Sequence, residues 1–561
     1  MNGPPKNLVA RRDHLLALPP RERVTAIEAS GEPRELVRAL PAQDFFLTLA
    51  ETGTDDALVL LEHASVPQLQ FLLDLGAWDR DAFDPTRFAR WISAIATASP
   101  DRVALWLLEG DEAAVVLALA RVYHVFKLDE SSDPAYWPPD RPLATLDGTY
   151  FLEARDEVPE EAAGALWDAL ARLRSTHSQG YEALLEQVMW AVPAEREEEA
   201  YERRAARLAE KGFPPFDEAI EAWAAGREAD PAVRREASER ALAAAAARRT
   251  DAAPAPVDTG RHLPAPVADA GRALGQAVAG LDADHQRRVL ADLLRVGNRF
   301  AVSSLGDLGD LETHREGLRI ALSHANLGLH ELGGARAAAL GPALLATVPV
   351  PDLVRAGTGA VMQRAERARR IAAGWLARVG GGKQRLDPES EEMLAALLSP
   401  RPAFGPPGIE VRPFRHPEDL AAADEALDAI EALGEFVEKR MGVGADGRWP
   451  ELDPLPAARG GPLDLDWPSV ALTTVARVAL GEAARPRPLG PEEARRALDL
   501  LLEGEDPRRP APRLFEIAGE LGLSAAADHL GRRLAGELSE LPRGDAPDPR
   551  FVRSLLLRWD D

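Results

Sequence analysis

The sequence predicts an all-α protein: an irregular array or superhelix of short stacked helices in two halves, with one small β-hairpin near 143–152. Three observations predict it. Ala, Leu, Arg and Glu dominate the composition, and these residues cost least in a helix. Apolar residues recur at helical spacing in segment after segment. Prolines and capping residues recur between those segments, too close together for long helices.

Between 40 and 126, helix starts are expected at Leu40-Pro41, Thr54-Asp55-Asp56, Ser65-Val66-Pro67, Asp84-Pro85 and Ser99-Pro100. Each puts a capping side chain or a proline where the first helical turn has no amide partner to lose. Leu69, Leu72 and Leu73 form one apolar stripe; Phe88, Trp91, Ile92 and Ile95 form a second; Val115, Leu119, Val122 and Phe126 form a third. No short helix can bury such a stripe alone, so neighbours must stack side by side. Residues 129–141, DESSDPAYWPPDR, read as a loop. Asp147-Gly148, between two short β-favouring runs, is a strong hairpin signal. Helices are then expected over 159–174, 181–192, 195–211 and 217–224.

At 241–268 the composition shifts to Ala and Pro with few large apolar side chains, the pattern of an extended linker. The expected organisation is an N-terminal array over 1–228, a linker over 229–268 and a C-terminal helical domain over 269–561. Within the last, helices are expected over 283–302, 311–332, 352–379 and 388–398. After a Pro-rich break follows a long helix over 417–441, with Leu420, Ala423, Leu427, Ile430, Leu433 and Phe436 along one side. A loop over 442–462 leads to 467–480, 491–502 and shorter helices up to Trp559.

At 561 residues the chain exceeds what one hydrophobic core supports, so at least two domains are expected. Its formal net charge of −25 disfavours nucleic acid, whose phosphates are held by cationic contacts, and an anionic membrane surface equally. There is no cysteine, which excludes disulfides, thiolate metal sites and cysteine nucleophiles. The first twenty residues lack the pattern of a signal peptide, and residues 113–126, broken by Arg121, are too short to span a bilayer. A cytoplasmic location is the expectation.

His314, His324 and His330 fall within one helix, but residues six apart lie on different faces, so His324 and His330 do not ligate one ion locally. Gly380-Gly381-Gly382-Lys383-Gln384 lacks the first glycine and the final Ser/Thr of a phosphate loop, and a helix rather than a strand precedes it; helix termination accounts for the glycines. Acidic clusters occur at Glu195 with Glu197–Glu199, at Asp129, Glu130 and Asp133, and at Asp464 with Asp466. Carboxylates suit a divalent cation, yet so acidic a chain must carry such runs on solvated faces. Phe45, Phe46, Phe71, Trp78, Phe88, Trp91 and Trp106 sit at helical spacing and are expected in the core rather than in a ligand groove. Tyr150 and Phe151 on the hairpin are the candidates for docking a partner. No catalytic residue, no metal ligand and no cofactor site is assigned.

Four stretches carry a family resemblance: LPAQDFFLTLAETGTDDALVLLEHASVPQLQFLLDLGAWDRDAFDPTRFARWI, LDGTYFLEA, NLGLHELGG and RPFRHPEDLAAADEALDAIEAL. Together they resemble an uncharacterised bacterial family, domain of unknown function 6178. The resemblance spans most of the chain and implies no activity. Residues 40–79 are also similar in cadence to the cytosolic helical domain of bacterial magnesium transporters and to flagellar rotor-switch modules. That similarity implies a superhelical fold and, in the transporters, Mg²⁺ sensing.

The favoured expectation is a non-catalytic interaction or scaffold module that presents helical surfaces to a protein partner. Its alternatives are a regulator that responds to a divalent cation or small ligand, and an enzyme whose site is assembled from scattered residues. The absence of a catalytic signature leans away from an enzyme.

Overall fold

Proline, the residue least tolerated inside a helix, starts many of the helices here. Pro20, Pro33, Pro85, Pro100, Pro193 and Pro512 are among those in a first helical turn, where the missing N–H would lack a partner anyway. Asp84, Asp111, Asp282, Asp387 and Asp466 cap other helices through their side chains. A chain with 46 prolines can therefore be helical: many of the described prolines begin a helix rather than interrupt one.

The structure, a computed structural model, describes residues 8–127, 144–224, 272–379, 386–406, 410–441, 466–503, 509–538 and 552–558, with single positions at 236, 239, 240 and 243. They fall into two compact units. The first comprises Met1–Ala222, Ala241–Leu322 and Ala338–Pro351; the second comprises Trp223–Arg240, Ser323–Ala337 and Asp352–Asp561, each counted over its described residues. This division follows packing, whereas the expected boundaries at 228 and 269 follow composition. Ala283–Ser303, for example, groups with the first unit. Nearly all of the expected linker, 229–268, lies outside the described residues, as do 129–141, Leu143, Gly380–Gln384, Asp464 and Trp559.

Over 8–176 the helices of the first unit pack in two rows, each on the next but one. Pro20–Glu28 packs on Ala42–Thr52, that on Val66–Gly76, that on Pro100–Glu109, and that on Glu160–Thr176. A second row runs Leu8–Leu16, Pro33–Ala39, Leu58–His63 and Pro85–Ala98. Two staggered rows close the apolar stripes against each other, and every aromatic residue expected in the core, from Phe45 to Trp106, is buried there. Polar side chains lock the joints. Gln68 accepts from the Ser65 amide at 2.9 Å and donates to the carbonyls of Val37 and Leu40, tying a helix start to a helix end. Arg23 is buried and donates to the carbonyls of Leu15, Leu16 and Leu18 and to Thr48.

The third apolar stripe is a correction. Its helix, Glu112–Val122, stops short of Phe126, and Tyr123–Lys127 is a strand. It pairs antiparallel with Tyr150–Ala154, which pairs with Ala144–Thr145, so the Asp147-Gly148 hairpin belongs to a three-stranded sheet. Tyr-His-Val-Phe is β-favouring, and the sheet partner supplies what the stripe cannot. At the turn, Asp147 Oδ1 accepts from the amides of Thr149 and Tyr150, and Gly148 has φ +76°.

In the second unit, Trp467–Ala479 is buried on every side from Trp467 to Arg477. Its hydroxyls are bonded: Thr473, for example, donates to the Ser469 carbonyl and accepts from the Leu556 amide at 2.8 Å. Gly328 and Gly357 allow two backbones to touch. A Cβ on Gly357 would stand 1.9 Å from the His324 carbonyl oxygen, and one on Gly328 2.0 Å from that of Leu353. The long helix expected over 352–379 passes through a π-turn at Ala372–Leu376 and resumes at Ala377–Val379, and the one expected over 417–441 ends in a π-turn, Phe436–Arg440. Among the described residues no helix is long and apolar enough to cross a membrane.

Candidate functional site

Two non-glycine residues among those described have positive φ, Arg80 at +58° and Leu305 at +54°. A left-handed backbone costs an L-residue roughly 1–2 kcal/mol, and such residues gather at functional sites. Both line the same cavity of about 350 Å³ in the first unit.

Each strained residue stands where glycine is the usual choice. Arg80 is the first residue of a two-residue turn joining Trp78–Asp79 to Ala82–Phe83, a tight hairpin in addition to the one expected near 143–152. Leu305 follows the cap residue of Ala283–Ser303, the position that ends helices in left-handed glycine. Arg87 braces both corners: it donates to the Trp78 carbonyl at 3.0 Å and pairs with Asp307 at 2.9 Å.

The third wall is the helix Pro193–Glu210. It turns Glu197, Tyr201, Arg204, Ala205 and Leu208, spaced i, i+4, i+7, i+8 and i+11, to one side. Glu197 accepts from the Phe83 amide at 2.9 Å, and Tyr201 tilts against the Trp78 ring. Arg204 is 5% exposed and stacks over Trp78 at 5.0 Å. Its Nε donates to the Asp74 carbonyl at 2.5 Å and its Nη1 to the Arg80 carbonyl at 3.1 Å. Nη2 has no hydrogen-bond partner among the described residues. The nearby Asp74 carboxylate is engaged by Arg207 through two bonds of 2.8 Å. Burial pulls the Arg204 guanidinium down to about 10, against the opposing pull of Asp74, so it stays charged at neutral pH. Phe213, Pro214, Pro215 and Phe216 complete the apolar lining.

His314 stands behind this wall. Its Nε2 donates to the Leu308 carbonyl at 2.7 Å, and its ring packs between Phe46 and Phe213. Burial lowers its pKa, so it is a neutral brace for two lining residues. His324 is buried against Trp223 with Nδ1 2.9 Å from Thr358 Oγ1, and burial lowers it to about 3. His330 is half-buried, and burial lowers it too. The three histidines have separate surroundings.

The acidic clusters are largely committed to arginines. Glu197 pairs with Arg121, Glu199 with Arg196 and Arg203, and Asp466 with Arg533. Glu195 and Glu198 are exposed. Asp387, Glu389 and His529 do approach closely enough to hold a cation. Asp387, however, caps Ser390, bonds His529 at 3.0 Å and faces Arg533 at 4.0 Å, a cation already in place. Burial would raise the Asp387 carboxyl, but His529, Ser390 and Arg533 hold it at about 2. On the hairpin, Tyr150 is buried against Tyr181 and donates to Glu186 at 2.7 Å, while Phe151 is half-buried.

A family model described as a family of unknown function, DUF6178, matches residues 5–558. The chain belongs to this family. No curated protein and no solved structure matches the chain, so the likeness of residues 40–79 to magnesium transporters rests on cadence alone. For this family member the cavity is the site that sequence reasoning missed. Its signal was a polar helical stripe, Glu197-Tyr201-Arg204-Leu208, which a search for apolar stripes passes over.

If the strain at Leu305 is held for the cavity's sake, Leu305→Gly should stabilise the protein by about 0.5–1 kcal/mol, glycine's unfolded-state entropy offsetting part of the gain. Leu305 is half exposed, so little packing is lost. Denaturant unfolding checks this; an unchanged or lower midpoint would show that the corner is not strained.

Proposed function

We propose that the first unit is a small-molecule-binding module, and that this chain is a ligand-responsive, non-catalytic protein. The observation that carries this is the pairing of both left-handed non-glycine residues with a buried, incompletely bonded arginine in one cavity. Its volume falls within the roughly 300–1,000 Å³ of ligand pockets, and it shares their make-up of apolar walls with few polar groups. Among the described residues the lining holds one carboxylate, Asp81, and no histidine, serine or threonine. That set can orient a ligand but lacks the base-and-nucleophile pair of a hydrolytic site.

The test is thermal unfolding of the full chain against a panel of small aromatic and aliphatic compounds. A ligand that binds only the folded state adds about 2.7 kcal/mol at a hundredfold excess over Kd, a shift of several degrees. Ala205→Trp, which fills the cavity from the helix Pro193–Glu210, should erase the shift. A flat panel at millimolar concentration would refute the reading.

A protein-interaction role is the second reading, and Trp190 favours it. This residue is 75% exposed beside Val192, at the turn between Ser178–Met189 and Pro193–Glu210. Large exposed aromatic side chains are the residues that anchor interfaces. Loss of a co-purifying partner in Trp190→Ala would support it, and unchanged co-purification would count against it.

A further inference from the structure

Charge decides what kind of molecule the cavity accepts. The chain as a whole carries −25, yet its cavity wall carries Arg80 and Arg204 against the single carboxylate of Asp81. Arg204 is the telling group. A guanidinium has five N–H donors, and a buried cation is stable only when those donors and its charge are met. Among the described residues, Arg204 spends one bond from Nε and one from Nη1 on backbone carbonyls. Among the described residues no carboxylate forms an ion pair with it, and Arg207 engages the nearby Asp74. The remaining donors include both protons of Nη2, on a side chain that lines the cavity and is 5% exposed.

The rest of the wall sets the shape of the partner. Trp78 is fixed between Arg204 and Tyr201, while Phe213 is held by His314. Aromatic faces flanked by Pro214 and Pro215 favour a flat apolar body, which loses little entropy when stacked. Two arginines suffice for one carboxylate or sulfonate, which a guanidinium meets with paired hydrogen bonds. A phosphate dianion would call for more donors than this wall offers. The strained turn at Arg80 also acquires a purpose: its carbonyl receives Arg204 Nη1 and so aims the guanidinium.

Resting on the cavity as a ligand site, we infer that its ligand is a monoanion with a flat apolar body, an aromatic carboxylate or its like, anchored by Arg204 and stacked among Trp78, Tyr201 and Phe213.

The test is fluorescence titration of the full chain with two dyes of the same body. One is 1-anilinonaphthalene-8-sulfonate; the other, N-phenyl-1-naphthylamine, lacks the sulfonate. Both should bind the wild type, and Ala205→Trp should weaken both. Arg204→Met should lower sulfonate-dye affinity tenfold or more while changing the neutral dye less than threefold. Circular dichroism confirms that each variant is folded. A second arm needs no variant: naphthalene-2-carboxylate should displace the neutral dye at a concentration at least tenfold below naphthalene-2-carboxamide. If the amide competes as well as the carboxylate, the anion claim falls and the ligand site stands. If the wild type binds neither dye, the ligand site falls as well.

Discussion

A chain ended at residue 551 is expected to lose the cooperative unfolding transition of the second unit. The last described segment, 552–558, runs through that unit's core. Val552, Leu555, Leu556 and Leu557 are at most 2% exposed. Burying a large aliphatic side chain contributes about 1.5–3 kcal/mol, so the four together contribute roughly 6–12 kcal/mol. A whole domain is stable by only about 5–15 kcal/mol. The segment is also bonded along its length. The Leu489 amide donates to the Leu556 carbonyl at 2.8 Å, the Arg558 amide donates to the Leu489 carbonyl, and Glu537 accepts from the amides of Arg553 and Ser554. Truncation would leave the buried Thr473 hydroxyl without the amide it accepts from. Circular dichroism melts and limited trypsin digestion report the outcome. Leu555→Ala, expected to cost about 2–5 kcal/mol, is the graded version. A truncated chain that melts with the full-length profile would show that this segment only decorates the core.

The second large effect is expected from Arg477→Met. Arg477 is 1% exposed, and its guanidinium gathers four groups: the carbonyls of Arg487 and Pro488 and the carboxylates of Glu482 and Glu493. Methionine fills much of the volume but leaves those acceptors unmatched. Glu482 and Glu493 are 40% and 23% exposed and can rehydrate. The cost therefore comes mainly from the two carbonyls left without a donor, about 1–3 kcal/mol each, several degrees in Tm for a unit of this size. The pH dependence gives a second readout. The hydrogen bond from Arg477 and that from the Gly490 amide hold the Glu493 carboxyl down at about 2, below its ordinary 4.5. A carboxyl depressed on folding contributes stability above its unfolded pKa and loses it as pH falls toward the folded value. The wild type should therefore lose stability between about pH 4.5 and 2, and the variant should lose less over that window. Equal acid sensitivity in the two proteins would separate Glu493 from Arg477.

Helix starts were legible because a cap acts within one turn. Asp84-Pro85 and Ser65-Val66-Pro67 carry their own instructions, and so does the Asp147-Gly148 turn. Tyr123–Lys127 was not legible, because nothing within reach of the local pattern marks Tyr150–Ala154 as its partner. Trp78 was placed correctly in the core, yet its hairpin was missed, since Arg80 occupies a turn position where glycine would have announced itself. Arg204 looked like one of many arginines on an acidic helix. Its meaning comes from the Asp74 and Arg80 carbonyls, more than 120 residues away in sequence.

By itself, then, the amino-acid order determined a predominantly helical chain with one Asp-Gly hairpin, because periodicity, caps and turns are local energies. Only the tertiary structure decided where the units divide, that the hairpin joins a third strand, and that a cavity with a buried, half-bonded arginine exists. Those outcomes depend on which distant groups desolvate one another, and the cost of burying a charge is set by its neighbours in space.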